Sequence, residues 1–305
     1  MTNRLFRMPI ALPVATGLAI IALASFAIPT RRIVTQTGKL RVAASFFPIA
    51  DIARNIAGDA VEVVTILPPG ASPHTYEPTP VEAIRLQGVK TVFVIGHGFD
   101  AWAESLTNNL PDASIVPVDK GIQLVPVHKV IGESDEPGDG LDPHYWLTAK
   151  NGKQIAKNIA EELSRLDPAH ADEIAKNLES YSNVLDQTDA RVRQILSGKL
   201  AAKIVTHHDA WRYFAEAYGL TVAGAFEPSP GRDLSVTELA YLESIIHEKG
   251  IKTVFIEPQL SKEVISSLAS DLGMSIVTVD PEGSSLGTSY ADALIQNAQR
   301  IADSL

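Results

Sequence analysis

The sequence predicts an α/β protein of two lobes, each with a mainly parallel sheet flanked by helices, joined by one long rigid helix. Three observations carry that prediction. Short, continuously apolar runs alternate with segments of helical periodicity, the mark of strands in a parallel sheet covered on both faces. The alternation occurs twice, over residues 40–118 and again over 202–303. Between the two sets, roughly 149–198, lies a stretch with three/four apolar spacing and no strand signal.

In the first set, "LRVAAS" (40–45) reads as a strand, followed by a helix from Pro48 to Ala57 that stops at Gly58. "VEVVTIL" (61–67) is a second strand. It runs into the loop "PPGASPHTYEPTP" and a helix near 80–87. "TVFVIG" (91–96), a helix near 100–109 and "SIVPV" (114–118) complete the set. The middle stretch holds "NGKQIAKNIAEELSRL", the break "DPAH", then a run with apolar residues at Ile174, Leu178, Tyr181, Leu185, Val192 and Ile195. We read it as a stiff helical connector, which resists large lobe closure. The second set opens with "AKIVT" (202–206), then a helix with Asp209 as N-cap and Gly219 as its stop. "LTVAGA" (220–225), a helix at 236–249, "KTVFIE" (252–257), a helix at 262–272, "SIVTVD" (275–280) and a last helix at 289–303 follow. No residue-level repeat relates the two halves.

The N-terminus is of a different kind. Residues 1–27 carry Arg4 and Arg7 and no acidic residue, and from Met8 to Thr30 there is no charge. The apolar run ends in Ser25-Phe26-Ala27, a small-x-small site, so it reads as a secretory signal cleaved after Ala27. An uncleaved anchor is the alternative, because the uncharged run is long enough to span a bilayer. The expected organisation is a signal at 1–27, a linker at 28–38, an N-terminal lobe at 39–148, a connecting helix at 149–198 and a C-terminal lobe at 199–305. With no cysteine, neither disulfides nor a lipid-bearing Cys at the cleavage site is available. The net charge of -10 becomes -12 once Arg4 and Arg7 are removed with the signal. That balance argues against nucleic acid or anionic membrane as a partner and suits the attraction of cations.

In an open α/β sheet, ligands bind beyond the carboxyl ends of the strands. Most of the eight histidines fall there. His74 follows the second strand, His97 ends the third, His144 follows the long loop after 114–118, and His207 and His208 end "AKIVT". Glu257 and Asp280 close two later strands. His170 and His247 lie on helical segments, and His128 lies in an irregular loop. Histidines and carboxylates converging without cysteine form a donor set for a first-row metal ion. The spacing is non-local, so it gives no motif strength by itself.

The blocks "GASPHTYEPTP", "DPHYWL", "HDAWRYFAEAYGL", "VFIEPQ" and "TVDPEG" occur in order from about residue 40 to the C-terminus. Together they resemble the metal-binding solute receptors of ABC importers, the zinc/manganese (ZnuA/TroA-type) family. The resemblance implies two α/β lobes joined by one long helix, with a metal between them held by His74, His144, His208 and Asp280. It implies a divalent transition metal as cargo and a membrane permease as partner; the ligand set favours Zn²⁺, with Mn²⁺ as the alternative, the export signal and absence of cysteine suit a periplasmic location, and a monomer is expected. Neighbouring residues of an extended segment point oppositely. Of the adjacent pair, the block match selects His208 as ligand and leaves His207 a supporting role. Glu257 is read as a hydrogen-bond partner of a ligating imidazole. His97 is read as a rim residue of a turn, and Tyr145 or Trp146 as a wall against solvent. The loop 128–142 carries Glu133, Asp135, Glu136, Asp139 and Asp142, and is read as a solvated acidic loop. Many zinc members carry a histidine-rich insert there, which this sequence lacks. Manganese members often carry Glu where His208 stands, so three imidazoles and one carboxylate put zinc ahead. A secreted zinc hydrolase with Glu257 as base is the competing class, although neither H-E-x-x-H nor G-x-S-x-G occurs. A metal-dependent surface adhesin on the same fold is the third reading.

Overall fold

The computed structural model describes residues 38–108, 110, 112–127, 140–227, 232, 234–260, 263–283 and 289–305. The signal at 1–27 and the linker up to residue 37 lie outside the described residues, as do His128 and four of the five acidic positions of the 128–142 loop.

Each lobe is built on a four-stranded parallel sheet. The first contains β1 (Leu40–Ala44), β2 (Val61–Thr65), β3 (Thr91–Val94) and β4 (Ser114–Pro117), in the order β2-β1-β3-β4. Its helices are α1 (Phe47–Ala57), α2 (Pro80–Arg85) and α3 (Trp102–Thr107). The second contains β5 (Lys203–His208), β6 (Thr221–Glu227), β7 (Thr253–Ile256) and β8 (Ser275–Thr278), in the order β6-β5-β7-β8. The two orders are the same, so the halves share a topology that their residues do not reveal. In both sheets the order reverses beside the first strand, and the crevice at such a switch point is where ligands sit.

The connector is two helices. The Asp167-Pro168 break divides it into α4 (Ala149–Leu166), capped by Thr148 through Asn151 N, and the long α5 (Ala171–Leu196). Pro168 cannot continue the ladder of α4, so the chain turns there and the two helices pack as a hairpin. The helix after β5 also differs from its sequence reading. β5 runs on to His208, and α6 (Arg212–Tyr218) begins with Trp211 at its N-cap and no side-chain cap. Asp209 therefore lies in the connection and is not the cap. Gly219 does end α6, at φ 79°, a conformation that favours glycine. Ser235 and Glu238 form a reciprocal cap at the start of α7 (Val236–Lys249). The last two helices are α8 (Glu263–Asp271) and α9 (Tyr290–Ser304).

One apolar core runs through both lobes. It takes Phe46, Ile49 and Ile52 from the first, Leu163, Leu185 and Val192 from the connector, and Phe214, Phe255, Leu294 and Ile301 from the second. Fully burying each such side chain is worth about 1.5–3 kcal/mol. A rigid-body opening that parted these helices would expose several of them, so the shared core resists such an opening. α9 belongs to the second lobe in sequence, yet it packs on α1 and α5. Its Tyr290 hydroxyl donates to the carbonyls of Trp146 and Thr148, and its Tyr290 N–H donates to Asp51 of α1 at 2.9 Å. Gly152 of α4 makes room for that phenol, since a Cβ there would fall 2.7 Å from its oxygen.

Replacing Tyr290 by Phe leaves the Trp146 and Thr148 carbonyls short of a buried donor. Chemical denaturation of the variant is expected to show a loss of about 1–3 kcal/mol; an unchanged midpoint and slope would show that this tether is not under load.

Candidate metal centre

The loops at the carboxyl ends of the strands deliver three imidazoles to one point. His74 stands in the turn after β2, where Trp102 of α3 donates to the Pro73 carbonyl at 2.8 Å and pins the turn. Its ring packs edge-on against Phe99. His144 is held by Asp142, two residues earlier. Asp142 Oδ1 accepts from His144 N at 2.9 Å and from His144 Nδ1 at 2.8 Å. Tyr213 of α6 donates to the Asp142 carbonyl at 3.0 Å, so the second lobe also fixes this corner. His208 is the last residue of β5 and is buried. Its Nδ1 lies 2.8 Å from Glu257 Oε2, a close charge contact off the line of an ideal hydrogen bond.

The donor atoms of His74, His144 and His208 lie within 4.8 Å of one another, and no other such group of three exists among the described residues. His144 Nε2 and His208 Nε2 are 3.2 Å apart. Nitrogens about 2.0–2.1 Å from a tetrahedral zinc are about 3.3–3.4 Å from each other, so this pair already has the spacing of two ligands. Since Asp142 takes the Nδ1–H of His144, the Nε2 of that ring presents a lone pair. The hydrogen between the two rings then belongs to His208, whose other nitrogen faces Glu257. The electrostatics agree. Burial, the largest single cause, lowers the His208 pKa, but Glu257, Asp209 and Asp142 together raise it above its ordinary value of 6.5. His74 and His144 are both held well below it, by burial first and then by the neighbouring His208. The three rings are thus unequal: His208 holds a proton more readily than an ordinary imidazole, and His74 and His144 less readily.

The other residues named from the sequence lie around this cluster. His207 points away from it, fully buried, with Nε2 3.3 Å from Glu227 Oε1. Glu257 is buried at the edge of the cluster and also accepts from Trp211 Nε1 at 3.3 Å. Asp280 is buried beside it, but its carboxylate is not among the grouped donors. Asp280 Oδ1 accepts from Gln259 Nε2 at 2.7 Å and from Glu282 N at 3.0 Å. His97 sits at φ 55° with Nε2 3.2 Å from Asp119, outside the cluster. Trp146 walls the site, ring centroid 5.3 Å from that of His144, while Tyr145 donates to the Ile95 carbonyl. Sequence reasoning missed two residues. Asp142 was counted with the acidic loop, although Asp-x-His is the spacing at which an Asx turn reaches the second residue on. Glu282 lines the cavity with the three histidines, and burial first, then Asp280 and Glu257, push its carboxyl well above the usual range. The cavity measures about 10 Å³. That is room for one water-sized body, enough for an ion and too little for an organic substrate.

Fold and site together define an α/β solute receptor with a histidine-rich ion cavity between two lobes. A model of the family described as zinc-uptake complex component A, periplasmic (ZnuA), matches residues 42–304, and the chain belongs to that family. It is 29% identical over 274 residues to the manganese-binding lipoprotein MntA of Halalkalibacterium halodurans, covering 87% of this chain and 88% of that one. It is 28% identical over 286 residues to the manganese ABC transporter substrate-binding lipoprotein PsaA of Streptococcus pneumoniae, covering 89% and 90%. The crystal structure of ZnuA superposes with a TM-score of 0.77 at 28% identity, over 87% of this chain and 99% of that one. AdcAII of Streptococcus pneumoniae does so with 0.76 at 25%, over 88% and 100%. The protein is therefore a metal-binding substrate-binding protein of the ABC-transporter type and not an enzyme. That removes the hydrolase reading.

For an ion held by the three rings, the pH dependence follows from the shifts. A ring must lose its proton to ligate. His208, with its raised pKa, is the first to hold a proton against the metal as pH falls, and His74 and His144 stay neutral well below 6.5. Zinc affinity followed downward from pH 8 should begin to fall above pH 6.5 with a slope of about one log unit per pH unit, and steepen only at the lower pH where His74 and His144 protonate. A slope near three throughout would contradict the inequality of the rings.

Proposed function

We propose that this protein captures one divalent transition-metal ion, zinc ahead of manganese, in the periplasm and hands it to the membrane permease of an ABC importer. His74, His144 and His208 supply three ring nitrogens, and a carboxylate from the turn after β8, read from the sequence as Asp280, completes the shell. The observation that carries the reading is the convergence of three imidazole donors within 4.8 Å in a cavity the size of one ion. Imidazole nitrogen suits zinc, which takes four ligands in a closed tetrahedral shell, whereas manganese favours more oxygen donors. Relatives named for manganese keep that ion as the second candidate.

The family supports the transport role, since its curated relatives are named as substrate-binding lipoproteins of metal ABC transporters. We read the N-terminal segment as an export signal cleaved after Ala27, which leaves the mature receptor in the periplasm. No helix among the described residues is long and apolar enough to cross a membrane. The lobes at 39–148 and 199–305 would act as the two walls of the site, with 149–198 as the strut between them, and we expect the receptor to work as a monomer.

Protein purified without chelator and then titrated in competition with a metal-binding dye should bind one tight equivalent of Zn²⁺ and release it to Mn²⁺ only at large excess. Two tight equivalents, or manganese retained over zinc, would overturn the reading.

A further inference from the structure

We infer that the open edge of the second sheet is a docking slot for an extended, positively charged peptide segment of a partner protein, which adds to β6 as a fifth strand. The slot shares no lining residue with the metal cavity, so its use is independent of the ion.

β6 is the outer strand of its sheet. Among the described residues, the backbone of Val222–Ala225 bonds to β5 alone, so its other side offers N–H and C=O groups to whatever lies alongside. That side is the floor of a groove of about 750 Å³, against about 10 Å³ for the metal cavity. Consecutive residues of the strand, Thr221–Ala225, line it, which is about 17 Å of extended chain. The walls are helices on opposite faces of the sheet. Val222 packs against the core cluster that holds Phe214 and Ala215 of α6, and Ala223 against the one that holds Leu242 and Ile246 of α7. Into the groove α6 sends Ala215 and Glu216, and α7 sends Thr237, Tyr241 and Ile245, each one turn after the last. A space bounded by a strand edge and one helix on either face has the shape of a missing strand.

Hydrogen bonding, access and charge choose the occupant. The walls are apolar, but the floor is a row of backbone polar groups, which an acyl chain or other hydrocarbon would bury without partners. An extended peptide satisfies them and fills the walls with its alternate side chains. A second copy does not fit. Its β6 is recessed between the same two helices and cannot reach this one, and the extra residue that β6 carries at Ala223, a bulge, blunts pairing between folded sheets. The charge favours a cationic guest. Asp209, Glu216 and Glu238 line the groove against Arg212, in a chain whose net charge is -10. Arg212 meets Glu216 at 2.9 Å, and Arg232, just outside, meets Glu238 at 3.0 Å. An acidic excess remains after both pairs, and it attracts lysine or arginine at the ends of a guest strand and repels acids there.

Capped peptides of about seven residues test this on the mature chain. One alternates valine and threonine between terminal lysines, the second has glutamates at the ends, and the third is the lysine peptide with its core amides N-methylated. Binding is read from the anisotropy of a fluorescent label, and the place of binding from hydrogen exchange. The lysine peptide should bind at least about tenfold more tightly than either of the others and slow exchange within 221–227. Glu216→Lys should cut the preference for lysine over glutamate ends by at least about tenfold while leaving zinc affinity unchanged. No binding by the lysine peptide, equal binding by its N-methylated form, or protection confined to other parts of the chain overturns the inference. So does a chain that elutes as a dimer with 221–227 already protected, which would give the slot to a second copy. Should Glu216→Lys fail to fold, the order of the three peptides on the parent chain decides.

Discussion

The site depends on a core that the two lobes share. The three rings come from the segments after β2 and β4 and from the end of β5, elements of different sheets, and loops alone cannot hold imidazoles to within a few tenths of an ångström. α1, α4, α5 and α9 can, because Ile49, Leu163, Leu185, Val192 and Ile301 are all fully buried in one continuous cluster. Opening that cluster at about 1.5–3 kcal/mol per large side chain would cost more than a transient motion supplies. Of the three rings His74 is the most exposed, being only partly buried on a Pro-rich, helix-free segment.

On that scaffold the electrostatics are graded. Two buried carboxylates, Asp142 and Glu257, each face one nitrogen of a ligand ring and leave the other nitrogen for the ion. Such partners fix the tautomer and raise the basicity of the ring they touch. The third ring, His74, has only aromatic neighbours and the other two imidazoles around it. Burial lowers the pKa of His74 and His144, while the carboxylates around His208, Glu257 above all, raise its pKa. Binding costs little reorganisation, because the His144–His208 spacing of 3.2 Å is close to a tetrahedral edge before any ion arrives.

Much of the architecture was legible because parallel strands and amphipathic helices have different periods. Strands read at 40–45, 61–67, 91–96 and 114–118 appear within one to two residues at Leu40–Ala44, Val61–Thr65, Thr91–Val94 and Ser114–Pro117. What failed was local and has local causes. Asp209 looked like an N-cap because Asp caps helices, but β5 extends to His208 through its pairing with Glu227 and pushes the helix start to Arg212. The long joining helix is present as α5 (Ala171–Leu196), and the "DPAH" break, visible in the sequence, sets α4 off before it. The three histidines come together as their strand-end places suggested, since topology fixes which loops meet. The carboxylates were harder. Whether an acid faces the cavity or a backbone amide is a matter of one rotamer and one turn, and Asp142 does not announce its direction in a string of residues.

X-ray absorption at the zinc edge of the loaded protein tests the central claim most directly, because it counts and identifies the atoms around the ion. Three imidazole nitrogens and one carboxylate oxygen at about 2.0–2.2 Å are the expected shell. A shell with fewer than three imidazoles would contradict the account, since the fixed core exists, on this reading, to bring those three rings to one point.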